Sequence, residues 1–157
     1  MSILTKMPPQ VFSTDNEEFE FRKIHGVATW AVPNKPSAGL WTSSVLNNSP
    51  FLSAWQEWCA NNDYHCGIHH FTLIPKTNLK VFEPDSLSAL QTIEPELPIL
   101  PPYIDFAWYF REGYDAFHVS ERILNIPSDD IHPFHGWDCE STVWFNYDWI
   151  ARIEKIS

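Results

Sequence analysis

Two carboxylates stand one residue apart in an unusual segment, residues 132–145 (HPFHGWDCESTVWF). Turn-forming residues precede Asp138 and Glu140, and an aromatic strand pattern follows them. Residues i and i+2 of an extended chain share a face, so both acids should point into whatever cleft that face lines. Two acids on one face repel each other, and such a pair persists more readily when a ligand or cation uses it. The alternative is a solvated turn at the edge of a sheet.

Two further segments carry groups that suit ligand binding. Residues 39–44 (GLWTSS) end in three hydroxyls, beginning with Thr42 and Ser43, which can donate to and accept from a sugar or phosphate. A helix cap or a turn is the alternative for these hydroxyls. Residues 22–26 (RKIHG) place a glycine after a strand histidine, which lets a flat ligand approach the backbone closely. The alternative for that histidine is a structural role.

A metal site is a rival interpretation of the acidic loop. His132, His135 and Asp138 offer three ligands to a divalent ion, and Glu140 lies beyond them as a fourth. Such a set would make a metal-dependent hydrolase. Because a proline and a glycine interrupt the spacing, it is not helical, and the ligands would have to be assembled by tertiary contacts.

The composition limits the classes of protein that the chain can belong to. Its 157 residues make one ordinary domain, and the apolar content of 44% with eleven Phe, eight Trp and five Tyr predicts a folded core. A formal net charge of −10 disfavours generic DNA binding and an anionic membrane surface. No apolar run of roughly 18 residues and no signal-peptide pattern occurs, so a cytoplasmic location with three reduced cysteines is expected.

The elements around these segments alternate in type without a regular βαβ repeat. Residues 1–18 lack periodicity and are predicted to be a loose lead-in, so the domain is expected to span residues 19–157. Alternating apolar residues predict strands, and apolar residues spaced by three and four predict helices. The predicted strands are residues 19–25, 27–32, 39–44, 67–74, 79–82, 114–119, 141–146 and 149–156, and the predicted helices are residues 51–59, 86–93 and 103–112. This order favours the α+β class, with a split, largely antiparallel β-sheet and a few short helices.

The order of the motifs resembles the ADP-ribosyltransferase family, in its small phage or bacterial type. A first strand with a basic residue or histidine comes first, then an aromatic residue followed by Ser/Thr, then a Tyr-Asp strand and an acid-x-Glu turn, all between residues 19 and 145. In that family, three motifs on three strands of a split sheet clamp NAD. The resemblance therefore implies an ADP-ribosyltransferase-like fold with NAD as the substrate.

The resemblance assigns roles to the acids and hydroxyls. Glu140 matches the catalytic glutamate, which binds the nicotinamide ribose and stabilises the positive charge that develops as the glycosidic bond breaks. Asp138 occupies the position that orients the acceptor in members acting on arginine or asparagine. Thr42 and Ser43 resemble the Ser/Thr motif that steadies the ribose and the catalytic glutamate.

The first-strand motif stays open between two branches of the family. Arg22 suits the Arg-Ser-Glu branch, whereas His25 with Gly26 resembles the His-Gly pair of the His-Tyr-Glu branch, which we favour. All three residues are therefore candidate NAD-binding residues. Trp41 and Tyr114 join them, because their rings can stack on nicotinamide or adenine.

These implications define a mono-ADP-ribosyltransferase-like enzyme that uses NAD to modify a macromolecular target, as a phage or toxin effector does. A protein is the expected acceptor, and Arg22 or Lys35 would approach the pyrophosphate. The non-enzymatic alternative is an acidic phage-type inhibitor that occupies a basic groove of a host protein. On the enzyme hypothesis, removing the Glu140 carboxylate lowers turnover at least about a hundredfold with little loss of folding.

Overall fold

The computed structural model describes residues 2–30, 34–97, 102–128 and 131–156. Within these ranges the chain is a mixed α+β protein, in which most of the regular structure is strand and the helices are few and short. This agrees with the predicted class. None of the described helices is long and apolar enough to cross a membrane.

The described strands are short, and the helices that interrupt them are shorter than three turns. The strands are β1 (Ile3–Leu4), β2 (Gln10–Thr14), β3 (Thr29–Trp30), β4 (Lys35–Pro36), β5 (Leu40–Ser44), β6 (His69–Pro75), β7 (Val81–Phe82), β8 (Thr92–Ile93), β9 (Tyr103–Ile104), β10 (Ala116–Val119), β11 (Ser141–Trp144) and β12 (Ile150–Lys155). The helices are α1 (Ala54–Asn61), α2 (Phe106–Arg111) and α3 (Glu121–Leu124).

Eight of these strands form one curled sheet in the order β1-β7-β10-β11-β5-β2-β6-β12. Every neighbouring pair is antiparallel except β7 and β10, which run parallel. Only two residue pairs, Gln10 with Ser44 and Val11 with Ser43, join β2 to β5. This short contact divides the sheet into two halves, β1-β7-β10-β11-β5 and β2-β6-β12. Two small ladders, β3 with β4 and β8 with β9, lie outside this sheet.

The sheet is buried on both faces, as the alternate residues of β10 show. Phe117 and Val119 belong to one hydrophobic cluster, whereas Ala116 belongs to a second cluster with Trp144 and Trp149. Successive side chains of a strand point to opposite faces, so β10 contributes to both clusters and is apolar at every position except His118. The rings of Trp144 and Trp149 stack with centroids 3.5 Å apart in the second cluster.

Each α-helix begins at a side-chain cap. Ser53, Asp105 and Ser120 accept a hydrogen bond from the backbone N–H three residues further on, which satisfies a donor that the first turn leaves free. The predicted helix over residues 86–93 is wrong, because only a 3-10 turn forms at Leu87–Ala89 before the chain extends into β8. That turn lacks a side-chain cap.

The prediction of a loose lead-in is also wrong, because residues 2–18 carry two strands of the sheet. β1 pairs with β7, and β2 lies between β5 and β6. Gln10 in β2 has no exposed surface. The apolar alternation that would reveal β2 is interrupted by this buried polar side chain, which is why the sequence pattern misses the strand.

Residues 19–28 form no strand despite their alternation. The ring of Phe19 packs edge-on against Phe12 and Phe71 at the second cluster, whereas Val27 belongs to the first cluster and Ile24 packs against it. Strand β3 begins only at Thr29, and residues 31–32 of the predicted continuation lie outside the described residues.

Candidate functional site

Glu83, His118 and Glu140 form a hydrogen-bonded group, the ion triad, across three adjacent strands. Glu83 follows β7, His118 lies in β10 and Glu140 precedes β11. The His118 ring places Nε2 2.6 Å from Glu140 Oε2 and Nδ1 2.7 Å from Glu83 Oε1. The His118 and Glu140 side chains are 10% and 14% exposed, and Glu83 is 31% exposed.

The two carboxylates keep the imidazole of the ion triad charged. Burial alone would lower the pKa of His118, but the hydrogen bonds to Glu140 and Glu83 outweigh it and raise this pKa to about 9. Burial also acts to raise the pKa of Glu140, and the hydrogen bonds from His118 and Ser44 overcome it, so that this pKa is lowered. At neutral pH the imidazolium therefore donates one N–H to each carboxylate.

The Glu140 carboxylate is surrounded by donors. Oε1 lies 2.9 Å from the Ser43 hydroxyl and accepts from the Ser44 backbone N–H at 2.9 Å. Oε2 accepts from the Ser44 hydroxyl at 2.7 Å as well as from His118. A carboxylate offers about four lone-pair sites, so these four donors occupy Glu140 fully.

A second buried network continues from these serines into the core. The Gln10 amide nitrogen donates to the Ser44 hydroxyl at 3.1 Å, and its oxygen accepts from Thr42 Oγ1 at 2.7 Å. Thr42 Oγ1 in turn accepts from the Trp144 indole N–H at 2.8 Å. Both Thr42 and Gln10 are buried, so the Thr42 hydroxyl is committed to the fold.

Beside the ion triad, six aromatic side chains surround a cavity of about 410 Å³, which we call the aromatic pocket. Trp41 and Trp137 form one wall, with ring centroids 4.9 Å apart. The remaining rings are those of Phe12, Trp30, Trp55 and Tyr64. A cavity of this size with ring-lined walls is typical of a small-molecule site.

The polar lining of the aromatic pocket is sparse and contains both signs of charge. Among the described lining residues, Lys35 is the only basic side chain and Asp138 the only acidic one. The Lys35 ammonium lies 5.6 Å from the Trp41 ring centroid. Hydroxyls from Ser43 and Ser141 belong to the same lining. The pocket can therefore stack a ring, meet an anion and hydrogen-bond a hydroxyl-bearing ligand.

A second cavity, of about 560 Å³, adjoins the first and shares Trp137, Asp138 and Cys139 with it. His132 and His135 of the predicted metal loop line this cavity with Asp138. In the described parts of the chain, however, no three His, Cys, Asp or Glu side chains are placed to hold one metal ion. The geometry gives the metal-hydrolase hypothesis no support there.

The structure brings together about half of the predicted site residues. Trp41, Thr42, Ser43 and Asp138 all line the aromatic pocket. Glu140 contacts Ser43 but does not itself line this cavity. The two segments that the sequence singled out, the end of β5 and the residues before β11, therefore meet at this cavity, and of their two acids Asp138 lines it.

The remaining predicted residues lie elsewhere. Arg22 has a side chain that is 80% exposed and pairs with Glu20, and neither His25 nor Gly26 lines the aromatic pocket. Tyr114 lines a third, smaller cavity of about 270 Å³. The histidine beside Glu140 is His118, because β10 rather than the segment before β3 is the neighbour of β11.

Several residues of the site were missed by sequence reasoning. His118 is a titratable residue in an otherwise apolar strand, which is a usable indication, since such a group needs a buried partner. Glu83 and Gln10 have no such indication, whereas Ser44 is the third of the hydroxyls that the sequence singled out. Trp30 and Tyr64, which line the aromatic pocket, are 58% and 57% exposed, and exposure cannot be read from the sequence.

The cysteines do not add chemistry to the site. All three are free, and Cys59 and Cys139 are buried. Burial raises the pKa of Cys59 to about 12 and that of Cys139 to about 11, so both remain neutral thiols at neutral pH.

The fold and the site define the protein as an α+β protein with a buried ion triad next to an aromatic pocket. The chain matches no protein-family model, no curated protein and no solved structure. The resemblance to ADP-ribosyltransferases therefore stays a prediction, and function has to be inferred from the chemistry of the site.

Proposed function

We propose that the aromatic pocket binds NAD and that the protein transfers ADP-ribose from it to a macromolecular acceptor. The observation that carries the proposal is the set of six aromatic side chains around a cavity whose described lining has one ammonium and one carboxylate. This lining contains Ser43 of the Ser/Thr motif, the candidate stacking ring of Trp41, and Asp138, which the resemblance to ADP-ribosyltransferases places beside the acceptor. Under this proposal the curled sheet is an ADP-ribosyltransferase-like sheet whose halves meet at β2 and β5.

The rings suit the flat parts of NAD. Stacking of a base on an aromatic side chain contributes about 1 to 3 kcal/mol by alanine substitution. Trp137 is buried and Trp41 is partly buried in one wall, and the exposed Trp30 and Tyr64 lie on the same lining. A nicotinamide or adenine ring that enters between them exchanges water for stacking contacts on both faces.

The charges suit the rest of the molecule. Lys35 is placed to meet the pyrophosphate, which needs one cation in an otherwise acidic protein. Loss of nicotinamide leaves an oxocarbenium-like centre, which a fixed carboxylate stabilises. Because Glu140 is occupied by four donors behind Ser43, we assign that electrostatic role to Asp138 and a positioning role to Glu140.

Trp30→Ala is expected to weaken NAD binding about tenfold or more, because one stacking face is lost. The side chain is 58% exposed, so the fold should survive its removal. Isothermal titration calorimetry with NAD measures the affinity. Phe21→Ala is the matched control, because Phe21 is 61% exposed and lies outside the lining of the aromatic pocket. Equal affinities of the two variants would contradict the assignment of the pocket.

The catalytic part of the proposal predicts that purified protein releases free nicotinamide from NAD, with or without a lysate as the source of acceptors. Asp138→Asn is expected to lower this turnover about a hundredfold, on the scale of losing one charge stabiliser, because Asp138 is the only carboxylate of the described pocket lining. Asp148→Asn, an exposed acid outside the pocket, should behave like the wild type. Chromatographic quantification of nicotinamide gives the rates. NAD binding without release would reduce the proposal to a nucleotide-binding protein, and full turnover of Asp138→Asn would overturn the role of Asp138.

A further inference from the structure

The ion triad connects the protein surface to the wall of the aromatic pocket. Glu83 at one end is 31% exposed, and His118 and Glu140 behind it are nearly buried. At the other end, Glu140 accepts a hydrogen bond from Ser43, which lines the pocket. A hydrogen-bonded path thus runs from solvent through three ionisable groups to a pocket hydroxyl.

The contact with Ser43 also reaches the first turn of α1. The Ser43 hydroxyl accepts from the backbone N–H of Trp55 at 3.3 Å, and the Trp55 residue lines the pocket. Ser44 holds the same carboxylate through its hydroxyl and its backbone N–H. Glu140 therefore fixes one pocket hydroxyl directly and the start of the helix that carries one pocket ring indirectly.

The charge on His118 decides whether its ring can donate a hydrogen bond to both Glu83 and Glu140. An imidazolium has two N–H donors, whereas a neutral imidazole has one. Since each ring nitrogen lies within 2.7 Å of a carboxylate oxygen, loss of the proton leaves a ring lone pair against an anion at one of the two contacts. Either Glu83 or Glu140 must then move. The other charged group near the triad is Arg122 of α3, which acts on Glu83.

We propose that Glu83 and His118 are positioning residues for the aromatic pocket, which act through Glu140 on Ser43 and Trp55 and make nucleotide binding depend on the charge of the triad. The inference rests on the proposed function for its ligand. It goes beyond that function because it assigns a role to two residues that do not line the pocket.

In the wild type, the affinity for NAD is expected to fall about fivefold or more as the pH rises through about 9. The folded-state pKa of His118 is raised by its two carboxylates, so the charged arrangement is present at neutral pH and is lost only above that value. Titration calorimetry from pH 7 to 10 gives the profile. NMR of the His118 ring in the free protein gives the midpoint of its titration independently of any ligand.

Glu83→Gln separates this role from a merely structural one. Glutamine keeps an acceptor for Nδ1 but removes one negative charge, so the His118 midpoint and the fall in affinity should move down together by about 1 to 2 pH units. Asp85→Asn, two residues further on and without a contact to His118, is the matched control and should leave both unchanged. His118→Gln removes the titrating group, and its affinity should lack the step near pH 9.

Failure of this inference differs from failure of the proposed function. If Glu83→Gln lowers the His118 midpoint and the pH profile of NAD binding does not follow, the positioning role is overturned. If the wild type does not bind NAD, the proposed function fails, and the Trp55 indole resonance tests the inference in the free protein. The chemical shift of that resonance should change with pH at the same midpoint as His118, in both the wild type and Glu83→Gln. A Trp55 chemical shift that does not change as His118 titrates would overturn the inference.

Discussion

Glu140→Gln is expected to lower the free energy of unfolding by about 3 to 5 kcal/mol, the usual cost of removing one partner from a buried ion pair. The carboxylate accepts from His118, from the Ser43 hydroxyl and twice from Ser44. A glutamine amide accepts on one oxygen only, and its NH₂ group would face another donor. The buried imidazolium of His118 would also lose its closest counter-charge.

Urea unfolding of the wild type and of Glu140→Gln at pH 7 measures this difference in the free energy of unfolding. Glu20→Gln is the control, because that carboxylate is 53% exposed and pairs only with Arg22, so its loss should change stability by less than about 0.5 kcal/mol. A Glu140→Gln protein within about 1 kcal/mol of the wild type would show that the carboxylate is not structural. The resemblance implied little loss of folding here, whereas the hydrogen bonds lead us to expect a large one. Turnover of this variant has to be measured where it is shown to be folded.

Thr42→Val is expected to cost about 3 kcal/mol of stability, because it leaves two buried groups without partners. The Thr42 hydroxyl donates to Gln10 Oε1 and accepts from the Trp144 indole N–H. Valine has nearly the same shape but can do neither. Because the hydroxyl is committed to these bonds, the affinity for NAD measured on the folded variant should change less than threefold, on the order of 0.6 kcal/mol.

The neighbouring strand offers a matched control for this substitution. Thr142 pairs directly with Thr42 in the sheet and is equally buried, but its hydroxyl has no hydrogen-bond partner. Thr142→Val should therefore be neutral or slightly stabilising in the same urea experiment. Equal destabilisation by the two substitutions would mean that the hydroxyl network around Thr42 contributes nothing specific, and that the shape of the side chain decides both results.

The sequence predicted the strands that carry a strong local pattern. β5, β10, β11 and β12 lie within predicted strands, and α1 and α2 overlap predicted helices. Their apolar residues recur with a period that local backbone geometry imposes, so no knowledge of distant neighbours is needed. β2 lacks this periodic pattern, because Gln10 occupies a buried position where the pattern requires an apolar residue.

The ion triad could not be predicted, because its members are far apart in the chain. His118 is 35 residues from Glu83 and 22 residues from Glu140. Their meeting depends on β10 lying between β7 and β11, and the strand order of a sheet is not encoded in the period of any single strand. The sequence could identify Glu140 and Ser43 as candidates by type, but it supplied His25 as the partner histidine where the sheet supplies His118.

The strand order also determines when this chain can fold during its synthesis. β5 is flanked by β2 from early in the chain and by β11, whose Thr142 pairs with Thr42 one hundred residues away. Until residues 141–144 have left the ribosome, β5 and β10 each lack a neighbour and expose unpaired backbone edges. Pairing between such distant segments is slow, because a long loop must close before the contacts form. We therefore expect chaperones to shield the exposed strand edges of the nascent protein until β11 completes the sheet.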